Sequence, residues 1–338
     1  MKVLVYFKPK ENFDNFEGTR LRKSIKGALE VSNIQYAVNE DDEYDIAQFI
    51  SANDELVINR CLDKNIPVVV AALYGESDPS SSFLVYKNKK TGKRIELSQK
   101  GLRVLNKADL VIVPNELSKK FLQDSGVTKD IKIVPPFINI SRFNASRNDE
   151  KEIFYKYFRE DKDKQLVICL GSSNNIDGIN AFISSAKKFP NDVFYYFVQD
   201  NPKISFKIKH ATYKATKNLH YVKIPSDDIY RSALLNASVL MYAGYDAVGL
   251  VSIYEAMAAK CELVIREQSL FNDILIDGHN CHAGKYSETI SSILKDCLSG
   301  KIPSTKEEAF KIAANSGLDV LGNELKSIYK KVINSKRR

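Results

Sequence analysis

A glutamate stands in an otherwise apolar segment, just after a glycine. The segment 249–265, GLVSIYEAMAAKCELVI, places Glu255 about two turns into a predicted helix that starts near Gly249. Backbone N–H groups at such a helix start favour an anion. A buried carboxylate can hold the vicinal hydroxyls of a sugar or ribose by charge-assisted hydrogen bonds. The alternative is a surface glutamate, stabilised in the first turns by the helix dipole, and spacing alone favours that alternative.

A second glycine loop could bind a phosphate. The segment 167–182, VICLGSSNNIDGINAF, has the order strand, Gly171, polar loop, Gly178 and helix. Free backbone N–H groups in such a loop can point at a phosphate. The loop lacks the G-x-G-x-x-G spacing, and the chain contains no G-x-x-x-x-G-K motif. A glycine that only turns the chain after a strand is an equally good interpretation.

The elements that must position these residues alternate along the chain of 338 residues. Short apolar runs predict strands at KVLVYF, IQYAV, DIAQFI, PVVVAAL, DLVIVP and IKIVPP, and later at QLVICLG, VFYYFV, LHYVKI, SVLMYA and ELVI. Amphipathic stretches predict helices between them, at 20–32, 116–125, 178–188 and 229–235. This alternation predicts an α/β fold with parallel sheets. The polar run 141–152 indicates a domain boundary, so we predict domains 1–145 and 146–305, followed by terminal helices 306–338 that pack back across both.

The composition of the chain limits its possible binding partners and its location. The formal charge of +8 suits an acidic partner such as a nucleotide, a nucleic acid or an anionic membrane. No zinc-finger spacing or RNA-binding aromatic pattern supports nucleic acid. The chain shows no signal peptide and no apolar run of about 20 residues, and its five scattered cysteines are typical of buried thiols. The sequence therefore predicts a cytoplasmic protein.

At these motifs the chain resembles a known family. GLVSIYEAMAAKCELVI followed by FNDILIDGHNCHAGK is similar to the retaining nucleotide-sugar glycosyltransferases of family 4, and DEYDIAQFI, KADLVIVPNELSKKFLQDSGV and IKIVPPFINISRF fall in the expected order. The resemblance is greatest to bacterial membrane-glycolipid synthases, which add a hexose to diacylglycerol or monohexosyl-diacylglycerol. It implies the GT-B fold, two Rossmann-like domains facing across a cleft.

The resemblance also implies roles for individual residues. Glu255 matches the glutamate that binds the ribose hydroxyls of a UDP-sugar, which is the substrate, with no cofactor and no metal. Asp246 stands near the position of a second glutamate and is the predicted catalytic residue. The predicted donor-binding residues are Gly171, Ser172, Gly249, Leu250, Val251 and Glu255.

The chain departs from the family at several of these positions. Eight residues before Glu255 stands Ala247, so Asp246 substitutes for the family's glutamate only if the loop holds one extra residue. Ser172 and Asp177 stand where the family has an arginine and a lysine on the diphosphate. The loop VVVAALYGESDPSSSF lacks the histidine that the family places near the reacting sugar. Other basic residues could replace the missing cations: Lys203, Lys207, Lys209, Arg231 and Arg266.

The segment 86–107 is basic. It holds eight Lys and Arg residues and one acidic residue, Glu96, with Ile95, Leu102 and Leu105 interleaved. Such a segment can bind an anionic lipid surface, or it can be solvated protein surface. In the resembling family this region faces the membrane and the lipid acceptor. The predicted acceptor and membrane residues are Gly18 and Arg20 on the first loop, and Lys89, Lys90, Lys93 and Arg94.

We therefore predict a hexosyltransferase, held peripherally on the inner face of a bacterial cell membrane, that moves a sugar from a UDP-sugar to a lipid. Two alternatives stay open. One is a degenerate GT-B protein that serves as the partner subunit of a second glycosyltransferase. The other is a capsule or protein-glycan transferase. The cluster His279, Cys281 and His282 is not predicted to bind a metal, because adjacent ligands seldom close one tetrahedral site.

Overall fold

The structure is a computed structural model of the chain. It describes residues 1–7, 16–74, 84–87, 94–144, 148–171, 176–198, 210, 212, 216–244 and 249–337.

The first half of the chain forms a parallel sheet. Its six described strands lie in the spatial order β2-β1-β3-β4-β7-β8, and a separate antiparallel hairpin pairs β5 with β6. The central strands are buried on both faces, which is why they read as continuous apolar runs rather than alternating ones. The strands are β1 (Lys2–Tyr6), β2 (Gln35–Ala37), β3 (Ile46–Phe49), β4 (Val68–Ala71), β5 (Leu84–Lys87), β6 (Arg94–Leu97), β7 (Leu110–Val113) and β8 (Ile131–Ile133).

The second half repeats the arrangement. A second parallel sheet has six described strands in the order β11-β10-β9-β12-β13-β14. Its strands are β9 (Leu166–Gly171), β10 (Val193–Val198), β11 (Leu219–Lys223), β12 (Val239–Tyr242), β13 (Glu262–Arg266) and β14 (His282–Gly284). The predicted α/β class with two parallel sheets is thus confirmed, and each predicted strand is present.

Helices cover the sheets. In chain order they are α1 (Phe16–Val31), α2 (Glu55–Asp63), α3 (Gln99–Leu105), α4 (Glu116–Asp124), α5 (Ser141–Asn144), α6 (Asn148–Phe158), α7 (Ile176–Lys188), α8 (Asp227–Asn236), α9 (Leu250–Ala258), α10 (Ser287–Leu298), α11 (Lys306–Ala314) and α12 (Leu318–Lys336). At three of the helix starts, the side-chain oxygen of Ser98, Asn115 or Ser226 accepts a hydrogen bond from a backbone N–H of the first turn. These caps satisfy N–H groups that would otherwise lack a partner.

The chain crosses between the two sheets twice, and the crossings lie side by side. Ile138 on the way out pairs with Gly317 on the way back, and its N–H donates to Ser316 O at 3.0 Å. The polar run 141–152 contains α5 and part of α6, and both helices contact α8 of the second half. The terminal helix α12 then lies against α1 of the first half.

The apolar core is continuous across the junction. One hydrophobic cluster includes Val3 and Tyr74 in the first half, Phe137 in the crossing, Leu250 in the second half and Tyr329 in α12. Burial of such a shared apolar surface favours close contact between the halves. Among the described residues, no helix is long and apolar enough to cross a membrane.

Candidate active site

Ligands of parallel α/β sheets bind beyond the carboxyl ends of the strands. Several of the connections that begin there lie outside the described residues: 8–15, 75–83, 172–175, 199–209 and 245–248. The predicted residues Ser172 and Asp246 fall in these stretches, as do Lys203, Lys207 and Lys209, and the side chain of Asp177 is also outside the description. The geometry of the site is therefore built here from α1, α8 and α9.

Glu255 lies on α9 and is buried, with 6% of its surface exposed. Arg20 Nη1 donates to both of its carboxylate oxygens, at 2.6 Å to Oε1 and 2.5 Å to Oε2. The Tyr230 hydroxyl donates to Oε2 at 3.0 Å. A buried carboxylate with charged and neutral donors differs from the surface glutamate that spacing alone favoured, because the partners come from other elements of the fold.

Arg20 joins the first half of the chain to the second. It lies within α1, is 4% exposed, and stacks its guanidinium over the Tyr230 ring at 3.8 Å from the centroid. Its Nη2 lies 3.3 Å from Asp227 Oδ1 at the start of α8. This placement differs from the prediction that Arg20 faces an acceptor or a membrane from a loop, since it is buried in a domain contact. Gly18 is buried in α1 as well, not on a loop.

Asp227 collects further cations from outside α8. Arg142 Nη2 lies 3.0 Å and Lys23 Nζ 3.5 Å from its Oδ2. Burial raises the pKa of the Asp227 carboxyl, but Arg20, Arg142 and Lys23 outweigh burial and lower that pKa below its ordinary value. The carboxylate therefore stays ionised between these cations at neutral pH. An open cavity of ≈ 170 Å³ borders the cluster, and its lining includes Arg20, Lys23, Arg142 and Glu255.

The start of α9 also contacts the first half of the chain. Gly249 is its N-cap, and the Leu250 N–H donates to the Tyr74 carbonyl at 3.0 Å. The side chains of Leu250 and Val251 are fully buried in the core. These two residues could therefore contact a UDP-sugar only through their backbone N–H groups, as expected for an anion bound at a helix start.

Gly171 has a packing reason to be glycine. A Cβ at this position, the last residue of β9, would lie 2.1 Å from the Tyr196 hydroxyl on β10. No real Cβ contact is that short, so a side chain at 171 would displace the Tyr196 ring. The glycine that the sequence offered as a phosphate-loop residue is thus required by its neighbouring strand.

Arg231 and Arg266, two candidates to replace the missing cations, are held by structural partners. Arg231 donates to the Arg142 carbonyl and to Glu150 Oε2 at 2.8 Å. Arg266 is 1% exposed and donates to the Ala243 and Lys285 carbonyls at 2.9 and 2.6 Å. Both guanidiniums are committed to folding contacts. The other candidates are the three lysines outside the described residues.

The described parts of the basic segment 86–107 are the end of β5, the strand β6 and the helix α3, rather than one amphipathic element. Val104 and Leu105 of α3 are buried in a separate hydrophobic cluster within the first half of the chain, so the apolar face of α3 is covered by protein. Arg103 donates to Glu55 at 3.0 and 3.1 Å, and these bonds, with Lys107, hold the pKa of the Glu55 carboxyl at about 2. Lys89, Lys90 and Lys93 lie outside the described residues, and of Arg94 only the strand position is described.

The side chains around His282 lie in the protein interior and contact other side chains there. His282 Nε2 lies 3.4 Å from Glu262 Oε1 in the interior, and burial raises the pKa of the Cys281 thiol to about 12. In the part of the chain that the structure describes, no group of three or more His, Cys, Asp and Glu side chains could hold a metal ion.

Sequence reasoning missed the partners of Glu255. Tyr230 and Asp227, the second carboxylate beside Arg20, occur three residues apart in DDIYR with no motif around them, and Arg20 is 235 positions from Glu255. It also missed a second contact between the halves, in which Asn115 Nδ2 donates to the Leu270 carbonyl at 2.5 Å and to Asp273. The spacing of α8 carried one usable signal, since residues three and four apart share a helix face.

Comparison with known proteins finds a matching family model and a full-length relative. Residues 82–135 match the family model described as the N-terminal domain of glucosyltransferase 3-like proteins. The chain is 23% identical over 340 residues to the processive diacylglycerol alpha-glucosyltransferase of Acholeplasma laidlawii, covering 100% of both chains.

Solved structures agree on the fold. Anabaena HepE in complex with UDP-glucose superposes with a TM-score of 0.73 at 13% identity, over 98% of this chain and 100% of that one. Sucrose-phosphate synthase from Thermosynechococcus elongatus superposes with a TM-score of 0.68 at 13% identity, over 97% of this chain and 81% of that one. Two facing Rossmann-like domains, a relative aligned from end to end and these neighbours confirm the resemblance: this chain is a glycosyltransferase of the GT-B fold.

Proposed function

We propose that this protein transfers a hexose from a UDP-sugar to a membrane lipid, either diacylglycerol or a glycosyl-diacylglycerol. The observation that carries the proposal is the full-length similarity to a diacylglycerol alpha-glucosyltransferase. The UDP-glucose complex of a neighbour with the same fold supports the donor. The hexose of UDP-glucose is α-linked, so an α-glycoside product means that the anomeric configuration is retained.

The residues of this chain divide the work in the proposal as follows. Glu255 accepts hydrogen bonds from the ribose hydroxyls of the nucleotide. Backbone N–H groups around Gly171 and at the start of α9 stabilise the departing diphosphate, which gains charge as the bond to the sugar breaks. The oxygen of the lipid hydroxyl bonds to the anomeric carbon, the bond from that carbon to the UDP oxygen breaks, and the hydroxyl proton leaves with the departing diphosphate. Asp246 lies near the reacting sugar in this proposal.

The lipid acceptor also requires membrane contact. The basic run 87–94 and the net charge of +8 suit an anionic lipid surface, which attracts each nearby basic residue by about 1 kcal/mol. We place the protein peripherally on the cytoplasmic face of the membrane in this proposal. The acceptor site would lie on the first domain, on the side of the hairpin β5–β6.

A second candidate function has its own support. Ser172 and Asp177 replace two expected cations, and Arg231 and Arg266 are committed elsewhere. A chain without diphosphate cations could instead serve as the partner subunit of another transferase. An acceptor on a capsule or protein glycan would keep the enzyme and change only the substrate.

The test is a transfer assay with radiolabelled UDP-glucose and UDP-galactose on vesicles that contain diacylglycerol, with anionic or neutral carrier lipid. We expect label in the lipid extract, an α-anomeric proton in the product spectrum, and co-sedimentation with anionic vesicles only. Glu255→Gln should raise the donor KM about 10- to 100-fold, because it removes a charged hydrogen-bond acceptor worth about 1.5–3 kcal/mol.

The exposed Asp163→Asn, before the amino end of β9 in the same domain, is the matched control and should leave the donor KM unchanged. Absence of transfer to any lipid, together with absence of UDP binding by the folded parent, would contradict the proposal and leave the partner-subunit function. Transfer to a glycan but not to lipid would correct the acceptor only.

A further inference from the structure

Glu255 has too few free acceptor positions to hold a ribose diol as the structure stands. Each carboxylate oxygen has about two lone-pair positions. Oε2 accepts from both Arg20 and Tyr230, and Oε1 accepts from Arg20. Among the described contacts, this leaves one position on Oε1. Two neighbouring ribose hydroxyls need one acceptor position on each carboxylate oxygen. Oε2 therefore cannot accept from a ribose hydroxyl while it accepts from both Arg20 and Tyr230.

A second donor-binding group is occupied in the same way. The Leu250 N–H at the start of α9 donates to the Tyr74 carbonyl. Both occupants, Arg20 and Tyr74, come from the first domain, whereas Glu255 and Leu250 belong to the second. The first domain therefore fills positions that the proposed donor would need.

We propose that Arg20 is an interdomain latch that competes with the nucleotide for Glu255, so that UDP-sugar binds only after Arg20 leaves Oε2. The inference rests on the proposed function for the identity of the ligand. It assigns Arg20 the role of a residue that controls donor entry, not that of an acceptor contact.

Arg20 has an alternative partner ready when it releases Glu255. Its Nη2 already lies 3.3 Å from Asp227 Oδ1, and its guanidinium stacks on the Tyr230 ring. A buried guanidinium without a carboxylate would be costly, but Asp227 offers one on the same helix face as Tyr230. The exchange therefore replaces one ion pair by another while Glu255 passes to the ribose.

Removal of Arg20 should strengthen UDP binding if Arg20 is a latch and weaken it if Arg20 binds the ligand. In Arg20→Gln, the Kd of UDP measured by calorimetry should fall at least about fivefold, the lower end of typical coupling between linked equilibria. Arg20→Lys, which keeps the charge but loses the fork, should give an intermediate Kd. Amide hydrogen exchange in residues 249–258 of the nucleotide-free protein should become faster in Arg20→Gln, because the domain contact opens more often.

Lys26→Gln is the matched control, since Lys26 is a basic residue of α1 that lies over the Tyr36 ring of the first domain and is not among the residues that line the cavity. Its UDP affinity and exchange should equal those of the parent. Weaker or unchanged UDP binding in Arg20→Gln would overturn the latch, and if that variant does not fold, weaker or unchanged binding in Arg20→Lys does so. Failure of the parent and of both Arg20 variants to bind UDP would overturn the competition together with the proposed donor, whereas weaker binding in the variants overturns the latch alone.

Discussion

Two of the contacts that helix α1 makes with the rest of the chain differ in chemistry. Near its start, Arg20 pairs with Glu255 and Asp227 of the second domain, a charged contact beside an open cavity. Near its end, Ala28 and Ser32 lie so close to Gly322 of α12 that a Cβ on Gly322 would be 2.4 Å from the Ala28 carbonyl oxygen. A charged contact can be exchanged for a ligand, whereas a steric contact at this distance cannot. One end of α1 is therefore suited to change during a reaction cycle, and the other end anchors it.

Breaking the charged contact from the second domain should have the largest effect on stability. Glu255→Ala leaves the buried Arg20 guanidinium with Asp227 as its remaining described carboxylate. Removal of one partner of a buried ion pair costs about 3–5 kcal/mol, and Asp227 should keep the loss near about 3 kcal/mol. Urea unfolding followed by far-UV circular dichroism measures it. A loss below about 1 kcal/mol would mean that solvent reaches the pair, in contrast to its burial in the structure.

Breaking the steric contact should have the next largest effect. Gly322→Ala places a methyl group against the Ala28 carbonyl and Ser32 Oγ, and overpacking of this kind costs about 1–3 kcal/mol. The same unfolding experiment measures the loss. Asn323→Ala, on the exposed face of the same helix, is the control and should stay within about 0.5 kcal/mol of the parent. The comparison fails if Gly322→Ala is as stable as the parent.

The smallest effect concerns pH and the charged contact alone. The pKa of Asp227 is lowered in the folded protein, so its ionised form stabilises the fold at pH values above the ordinary carboxyl pKa. This stability is lost as the pH falls through the lowered pKa. The parent should lose stability below about pH 4, the ordinary range of an aspartate. Asp227→Asn should flatten that part of the profile. Unfolding midpoints of both proteins between pH 5 and pH 3 check this, and parallel profiles would assign the acid sensitivity to other carboxylates.

Local sequence was a good guide to the sheets and a poor one to the partners of the site. The apolar runs marked the buried parallel strands because both faces of such strands are covered, so that no alternation dilutes the pattern. The hairpin β5–β6 was missed because its basic residues dominate the local composition, and because two of the three apolar residues interleaved with them, Leu102 and Leu105, belong to α3. The strand β14 was missed because its three residues, His-Ala-Gly, form no apolar run.

For the candidate site too, the sequence predicted some features and missed others. The position of Glu255 behind Gly249 could be read from the segment itself, together with the start of α9. Its burial, and the presence of Arg20 and Tyr230 on its oxygens, could not, since these residues lie 235 and 25 positions away. The glycine at 171 was visible, but its reason, the Tyr196 hydroxyl on the next strand, was not.

By itself, the sequence determined the class of fold, the alternation of elements and the place of the glutamate, because these depend on periodicity and on residues close together in the chain. Only the tertiary structure decided that Arg20 is buried against Glu255 and that Gly322 must lack a side chain. Both facts depend on how α1 packs on α9 and α12, and side chains distant in sequence meet only when the sheets and helices are assembled. The chemistry of the domain junction therefore arises from packing and not from any single motif.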